Sequence, residues 1–381
     1  MTERVRIGMV VGETSGDILG AGLMSALRKH YPDAEFCGIG GPRMLALGFH
    51  SFFPMDRLAV MGLVEPLKRL PELLKIRRFL REHFTEHPPT VFIGVDAPDF
   101  NLTLEGHLKE ATIPSVHYVS PTVWAWRQGR VHKIARSVDL MLTLFPFEAE
   151  FYQQHQVPVE FVGHHLADAF PLEVDQLGAR EALGVPADAR VITLMPGSRS
   201  GEVSRLGPAF LQAARHCLEQ DPSLQFLLPA ASPDRYRQLH HQLAEFTDLP
   251  ITLIQGQSEQ AMTAADAVLI SSGTSALEAL LLKRPMVVAY KVAPVSYAIL
   301  SMMVKTEHIS MPNLLAGREL VPEFLQQRAQ PQALADALMH YFKNPEQTQA
   351  LTETYDRIHR TLRQNASESA AAAVARLVEK R

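Results

Sequence analysis

An α/β protein of two domains, each a parallel sheet covered by helices, is predicted by three observations. Short, fully apolar runs alternate with longer helical patterns, the mark of parallel strands buried on both faces. The alternation occurs twice, separated by the polar stretch Pro171–Arg180. The chain's 381 residues also exceed what one core comfortably serves. Each half reads as a Rossmann-like domain. In such open sheets a ligand sits beyond the C-terminal ends of the strands, and two such domains facing each other would enclose a deep cleft.

In the first half the apolar runs Val5–Val11, Thr90–Val95, Ser115–Val119, Leu140–Leu144 and Val159–Val162 predict strands. In the second half they are Val191–Leu194, Gln225–Leu228, Ile251–Ile254, Ala267–Ile270 and Met286–Tyr290. The expected domains are 1–170 and 171–345. A helical segment, 346–381, is expected to pack back on the first domain or on a partner subunit, which leaves a homodimer open.

Composition is that of an ordinary globular protein, 46% hydrophobic and 20% charged. Cys37 and Cys217 are far apart and lack metal-ligand spacing. They fit a reducing compartment and argue against a disulfide or zinc framework. The opening MTERVRIGMVVGE is charged at once and lacks a signal-peptide pattern. No apolar run approaches the ~20 residues that span a bilayer. A formal net charge of −4 does not point to a nucleic-acid partner.

The candidate chemistry lies just after predicted strands. The first strand runs into Gly12-Glu13-Thr14-Ser15-Gly16-Asp17. Glycines and hydroxyls at such a turn can present backbone N–H groups to an anion. The turn is neither GxGxxG nor a P-loop, and a plain turn capped by Ser15 or Asp17 is the alternative. VFIGVDAPDFN at 91–101 ends a strand on Asp96, and Pro98 stops the strand. Asp99 suits a helix cap, and Asp96 suits a cap or chemistry equally.

In the second half Met195-Pro196-Gly197-Ser198-Arg199 repeats this geometry. Gly197 allows close backbone approach, and the Arg199 fork suits phosphate oxygens. A surface arginine is the alternative. Ser271-Ser272-Gly273-Thr274-Ser275 leads into a helix whose N-terminus favours an anion. Glu278 follows one turn beyond Thr274, placed to accept ribose hydroxyls or to sit in a capped first turn. Asn313 and Glu319 could read a base or sugar, or satisfy a loop.

Tyr118–Arg127 holds both tryptophans, Trp124 and Trp126, and His164 and His165 follow another strand. An aromatic core and structural histidines are the default readings. The segment 58–84 is different: Leu63, Leu67, Leu70 and Leu74 fall at helical spacing among Lys68, Arg69, Lys75, Arg77, Arg78 and Arg81. Pro66 and Pro71 are expected to break any single regular helix there. A basic, apolar segment suits a membrane surface, and an amphipathic helix facing the core fits equally well.

Taken together, GETSGD at 12–17, GVDAPDFN at 94–101, HYVSPTVWAWR at 117–127, PGSR at 196–199, SSGTSALE at 271–278 and MPNLLAGRE at 311–319 closely resemble the lipid-A-disaccharide synthases. The motifs occur in the expected order across essentially the whole chain. The resemblance implies a two-domain GT-B glycosyltransferase that needs no metal or other cofactor. It would join UDP-2,3-diacylglucosamine to 2,3-diacylglucosamine 1-phosphate with inversion, giving a β-1,6 tetraacyl disaccharide 1-phosphate and UDP. It further implies a peripheral protein on the anionic cytoplasmic face of the inner membrane of a Gram-negative cell.

On that reading Asp96 and Arg199 are catalytic. The donor contacts are Gly197, Ser198, Arg199, Ser272, Gly273, Thr274, Ser275, Glu278 and Asn313. Glu13, Thr14, Ser15, Gly16 and Asp17 hold the acceptor or its phosphate. Leu63, Leu67, Leu70, Leu74, Lys68, Arg69, Arg77 and Arg78 face the membrane. Two rivals stay open: another GT-B enzyme, such as a UDP-N-acetylglucosamine 2-epimerase, and a non-catalytic nucleotide-sugar binder.

Overall fold

A computed structural model describes residues 5–58, 65–126, 128–293, 297 and 306–380, and of residues 65–68 it describes the backbone alone. The chain forms two compact units, one of residues 1–168 with 362–381 and the other of 169–361.

The first unit carries a seven-stranded sheet in the order β3-β2-β1-β4-β5-β6-β7, and every pairing is parallel. Its strands are β1 (Arg6–Val11), β2 (Glu35–Ile39), β3 (His50–Ser51), β4 (Val91–Val95), β5 (Ser115–Tyr118), β6 (Leu140–Thr143) and β7 (Val159–Phe161). Between them lie α1 (Thr14–His30), α2 (Pro42–Ala46), α3 (Glu65–Glu86), α4 (Pro98–Glu110), α5 (Val131–Ser137) and α6 (Pro146–Gln154), and α7 (His165–Ala169) follows β7. Sequence pattern missed β2 and β3. β2 reads EFCGI, too short an apolar run to stand out, and β3 has only two residues. Both lie toward one edge of the sheet, where pairing with an established neighbour decides the conformation.

The expectation that prolines break the 58–84 segment is corrected. Glu65–Glu86 is one continuous helix with Pro71 inside it. Pro66 falls in the first turn, where no intrahelical N–H bond is needed. Pro71 does lack a helical N–H, at a cost of about 3 kcal/mol. Burial offsets that cost: Ile76, Leu80 and Phe84 are lost from solvent in a cluster with Val10, Phe92 and Leu104, each side chain contributing about 1.5–3 kcal/mol.

The second unit has a six-stranded sheet, β10-β9-β8-β11-β12-β13, again with every pairing parallel. Its strands are β8 (Arg190–Met195), β9 (Leu224–Ala230), β10 (Ile251–Gln255), β11 (Ala267–Ser271), β12 (Met286–Tyr290) and β13 (Glu323–Leu325). Its helices are α8 (Gln176–Ala182), α9 (Ser200–Gln220), α10 (Pro233–Leu243), α11 (Ser258–Ala264), α12 (Thr274–Leu281), α13 (Met311–Ala316), α14 (Pro331–Lys343) and α15 (Pro345–Leu362). Phe210 and Leu206 of α9 and Leu334 and Leu338 of α14 share a core cluster with Phe226 and Leu269 of the sheet.

The segment 346–381 divides. Nearly all of α15 belongs with the second unit, and α16 (Ala366–Glu379) belongs with the first. The Asp168 carboxylate accepts the Asn365 and Ala366 N–H groups at 2.9 and 2.6 Å, holding the start of α16. Buried Ala370, Ala371, Ala373 and Val374 give α16 a small-residue face, and α16 packs on α1.

The close seat of α4 on β4 depends on Gly94. A Cβ there would fall 2.0 Å from Glu105 Oε1 and 2.8 Å from the Asn101 Cβ. Gly94→Ala should therefore lose about 1–3 kcal/mol, the usual cost of overpacking, seen as a lower melting temperature. An unchanged melt would show that α4 moves aside freely.

Candidate active site

In the first unit the turns after β1 and β4 meet. Gly12 abuts Ala97, so that a Cβ on the glycine would lie 2.9 Å from the alanine Cβ. Asp96 and Ala97 both have positive φ, 54° and 44°, a conformation that costs non-glycine residues about 1–3 kcal/mol and needs support from its surroundings. Asn101 provides it. This fully buried side chain donates from Nδ2 to Asp96 O at 2.8 Å and Val10 O at 3.2 Å. The turn leaves Asp96 half-buried, and among the described residues its carboxylate has no hydrogen-bond or ion-pair partner. Asp99 is exposed and pairs with Arg130 at 2.6 Å.

The 12–17 turn divides in two. Glu13, Thr14 and Ser15 are exposed, while Gly16 and Asp17 are buried. The expectation that Asp17 contacts a ligand is corrected. At 2% exposure its carboxylate accepts the N–H groups of Gly41, Arg43 and Met44 at 2.9–3.1 Å. It serves the N-terminus of α2, whose orphan donors need an acceptor.

An apolar pocket of about 350 Å³ adjoins the Asp96 turn. Leu58, Leu70, Leu73, Leu74, Ala97, Pro98 and Phe100 line it, with Glu13, Arg77 and Asp99 adding charge. Leu70 and Leu74 are 47% and 46% exposed. Leu63 lies outside the described residues, as do the side chains of Leu67 and Lys68.

In the second unit the turns after β8 and β11 line a pocket of about 250 Å³. Gly197, Ser198, Arg199, Ser272, Gly273, Thr274 and Ser275 all border it. Gly197 has φ +122°, a region that favours glycine. Arg199, its side chain 80% exposed, lies 3.5 Å from Glu202 across a turn of α9. α12 starts at Thr274 and adds the N–H groups of its first turn. The pocket is therefore rich in donors suited to phosphate oxygens. Glu278 lies further along α12, half-buried, and burial followed by the nearby Glu259 pushes its carboxyl upward.

Comparison with known proteins decides the family. The family model described as lipid-A-disaccharide synthetase matches residues 7–377. A lipid-A-disaccharide synthase of Cellvibrio japonicus is 64% identical over 379 residues, spanning 100% of this chain and 99% of that one. The chain belongs to the lipid-A-disaccharide synthase family. Solved structures share its fold at far lower identity. A putative UDP-N-acetylglucosamine 2-epimerase from Listeria monocytogenes gives a TM-score of 0.67 at 12% identity, covering 100% of this chain and 98% of its own. A UDP-GlcNAc 2-epimerase from Neisseria meningitidis, bound to UDP-GlcNAc, gives 0.61 at 13%, covering 99% and 100%. This lipid-A-disaccharide synthase family member is thus a GT-B glycosyltransferase. The family's substrates are a UDP-sugar donor and a sugar acceptor.

Asn313 is corrected as a donor contact. It is fully buried, with every polar atom engaged inside the protein. Its Nδ2 donates to Val321 O and Glu323 Oε1 at 2.9 and 2.8 Å, and its Oδ1 accepts from Leu320 N and Val321 N. Glu323 in turn accepts Ser310 N at 2.9 Å and Ser310 Oγ at 2.6 Å. The pair fixes the loop before β13. Nothing local in the sequence marks Glu323, because its partners lie 10–14 residues away.

Sequence reasoning also missed Glu148, in the first turn of α6. It is 4% exposed and accepts Trp124 Nε1 and Phe145 N, each at 3.2 Å. Burial pushes its carboxyl up to about 8 against this bonding. Trp124 packs edge-on against Phe147, and His164 stacks between Phe145 and His165. Burial and the charge of His165 hold His164 down at about 3, so it stays neutral at working pH and its Nδ1 accepts Leu166 N at 3.1 Å.

The folded Glu148 carboxyl titrates above its unfolded value of 4.5. Its contribution to stability is therefore full below about pH 4.5 and is lost as pH rises through about 8. Glu148→Gln should melt with a smaller decrease between pH 6 and pH 9 than the wild type. Parallel pH–melting curves for the two proteins would contradict the assignment.

Proposed function

We propose that the enzyme transfers 2,3-diacylglucosamine from its UDP derivative to the 6-hydroxyl of 2,3-diacylglucosamine 1-phosphate, with Asp96 as general base. The observation that carries this reading is the Asp96 carboxylate, unpartnered among the described residues, on a strained turn at a strand tip. Asp96 takes the hydroxyl proton as the oxygen attacks the anomeric carbon on the face opposite the leaving diphosphate, so the configuration inverts. A positioned base of this kind typically supplies 10²–10⁴-fold. The diphosphate is received by Gly197, Ser198, Arg199 and the 272–275 turn, where guanidinium and helix N-terminus meet the charge that develops on leaving. Glu278 accepts the ribose hydroxyls. Exposed Glu13, Thr14 and Ser15, beside the Asp96 turn, take the acceptor. The solved epimerase that holds UDP-GlcNAc on the same fold supports a nucleotide-sugar donor.

Asp96→Asn should lower turnover about 10²–10⁴-fold while UDP affinity, measured by calorimetry, stays within about two-fold. Near-normal turnover in the folded variant would remove Asp96 from the role.

The same reading assigns the α3 region to the acyl chains and the membrane. The pocket beside Ala97 receives an acyl chain, and exposed Leu70 and Leu74, flanked by Arg69, Arg77 and Arg78, rest on anionic lipid. Extracting a chain into water costs about 0.8 kcal/mol per CH₂, so a seat on the bilayer removes most of that barrier. Among the described residues no helix is long and apolar enough to cross a membrane. Leu70→Ser with Leu74→Ser should shift the protein off anionic vesicles in sedimentation, while high salt should release the wild type only in part. A folded double variant that still sediments fully would sink the docking role.

A further inference from the structure

The donor pocket contains its own anion. Glu202 is the acid among its lining residues. Glu202 Oε2 accepts Ser198 N at 3.2 Å and Arg199 N at 3.3 Å. Its other oxygen lies 3.5 Å from Arg199 Nη1. A helix capping box explains only part of this. In that motif a carboxylate at the third helical position bonds the N-cap N–H, which here belongs to Arg199. The bond to Ser198 N and the contact with the guanidinium go beyond the cap. Two successive backbone N–H groups and an arginine form the donor set that suits a phosphate. Gly197 completes the arrangement: a Cβ there would fall 2.5 Å from Glu202 Oε2, so the glycine leaves the space the carboxylate reaches into.

We infer that Glu202 is an internal competitor for the donor's diphosphate, occupying its N–H groups in the free enzyme and yielding them when the nucleotide binds. The inference rests on the donor reading of this pocket and adds a reason for product to leave. Cleavage of the sugar–phosphate bond gives the diphosphate further negative charge, which binds the N–H groups and Arg199 more tightly. A carboxylate tethered beside the same donors competes at high effective concentration, because its return is intramolecular. In the free enzyme it also keeps those N–H groups satisfied and the nest ordered.

The test is calorimetry of UDP and uridine on wild type, Glu202→Gln and Glu202→Ala, with melting temperatures measured alongside. Glutamine keeps the shape and can still accept an N–H, but it has no charge to set against the diphosphate. UDP affinity should rise on the order of ten-fold in Glu202→Gln, while uridine affinity stays unchanged. In turnover assays the same variant should show UDP inhibition strengthened by a similar factor and a lower kcat. Glu202→Ala, which removes both acceptor oxygens, should bind UDP at least as tightly as Glu202→Gln provided its melt matches wild type. Unchanged or weakened UDP affinity in a Glu202→Gln protein that melts normally would reduce Glu202 to a helix cap and overturn the inference. A wild type that binds no UDP would instead overturn the donor reading, and the inference with it.

Discussion

The Asp96 turn of the first unit depends on one buried amide. Asn101 ties the carbonyls of Asp96 and Val10 together, so the ends of β4 and β1 are satisfied by a side chain from α4. Backbone carbonyls cut off from water and left unpaired would cost about 1–3 kcal/mol each. The same bonds hold two consecutive non-glycine residues in the left-handed region. α4 can reach that far only because Gly94 has no side chain. Beneath it Glu105 and His117, both fully buried, meet at 2.7 Å and join α4 to β5. Desolvation pushes the Glu105 carboxyl upward, with His117 acting against it.

The acids of this protein divide by burial, and desolvation explains the division. Asp17, Glu105, Glu148 and Glu323 are buried or half-buried, and each is bonded to backbone or side-chain groups that fix a turn, a helix end or a loop. A carboxylate out of water without such partners would neutralise or destabilise the fold. Asp96 is half-buried and keeps its carboxylate unpartnered among the described residues. That is a poor arrangement for stability and a useful one for proton transfer. Glu202 stands between the two groups: it is bonded, but to donors that an incoming anion can claim.

Both units use the same device at their strand tips. A parallel strand ends, the chain turns closely, and a helix begins with its first N–H groups pointing outward. In the second unit that device gathers donors, with Arg199 and the start of α12 beside one pocket. In the first unit the N–H groups at the start of α2, the helix after β2, are spent on Asp17, and Glu13, Thr14 and Ser15 around the start of α1 stay exposed.

Sequence by itself determined the two parallel sheets, since fully apolar runs of strand length recur only where both faces are buried. It also placed Asp96, Gly197, Arg199 and the 271–275 turn at the ends of strands, because strand, turn and helix are local and their residues adjacent. Tertiary structure alone decided the rest. β2, β3 and β13 exist through pairing with neighbours rather than through their own pattern. α3 runs unbroken through Pro71 because burial of Ile76, Leu80 and Phe84 outweighs one missing hydrogen bond. Asn313 and Asp17 stand in the right motifs, yet their partners lie 7–27 residues away, and only folding shows that those partners have already used every polar atom of Asn313 and both oxygens of Asp17.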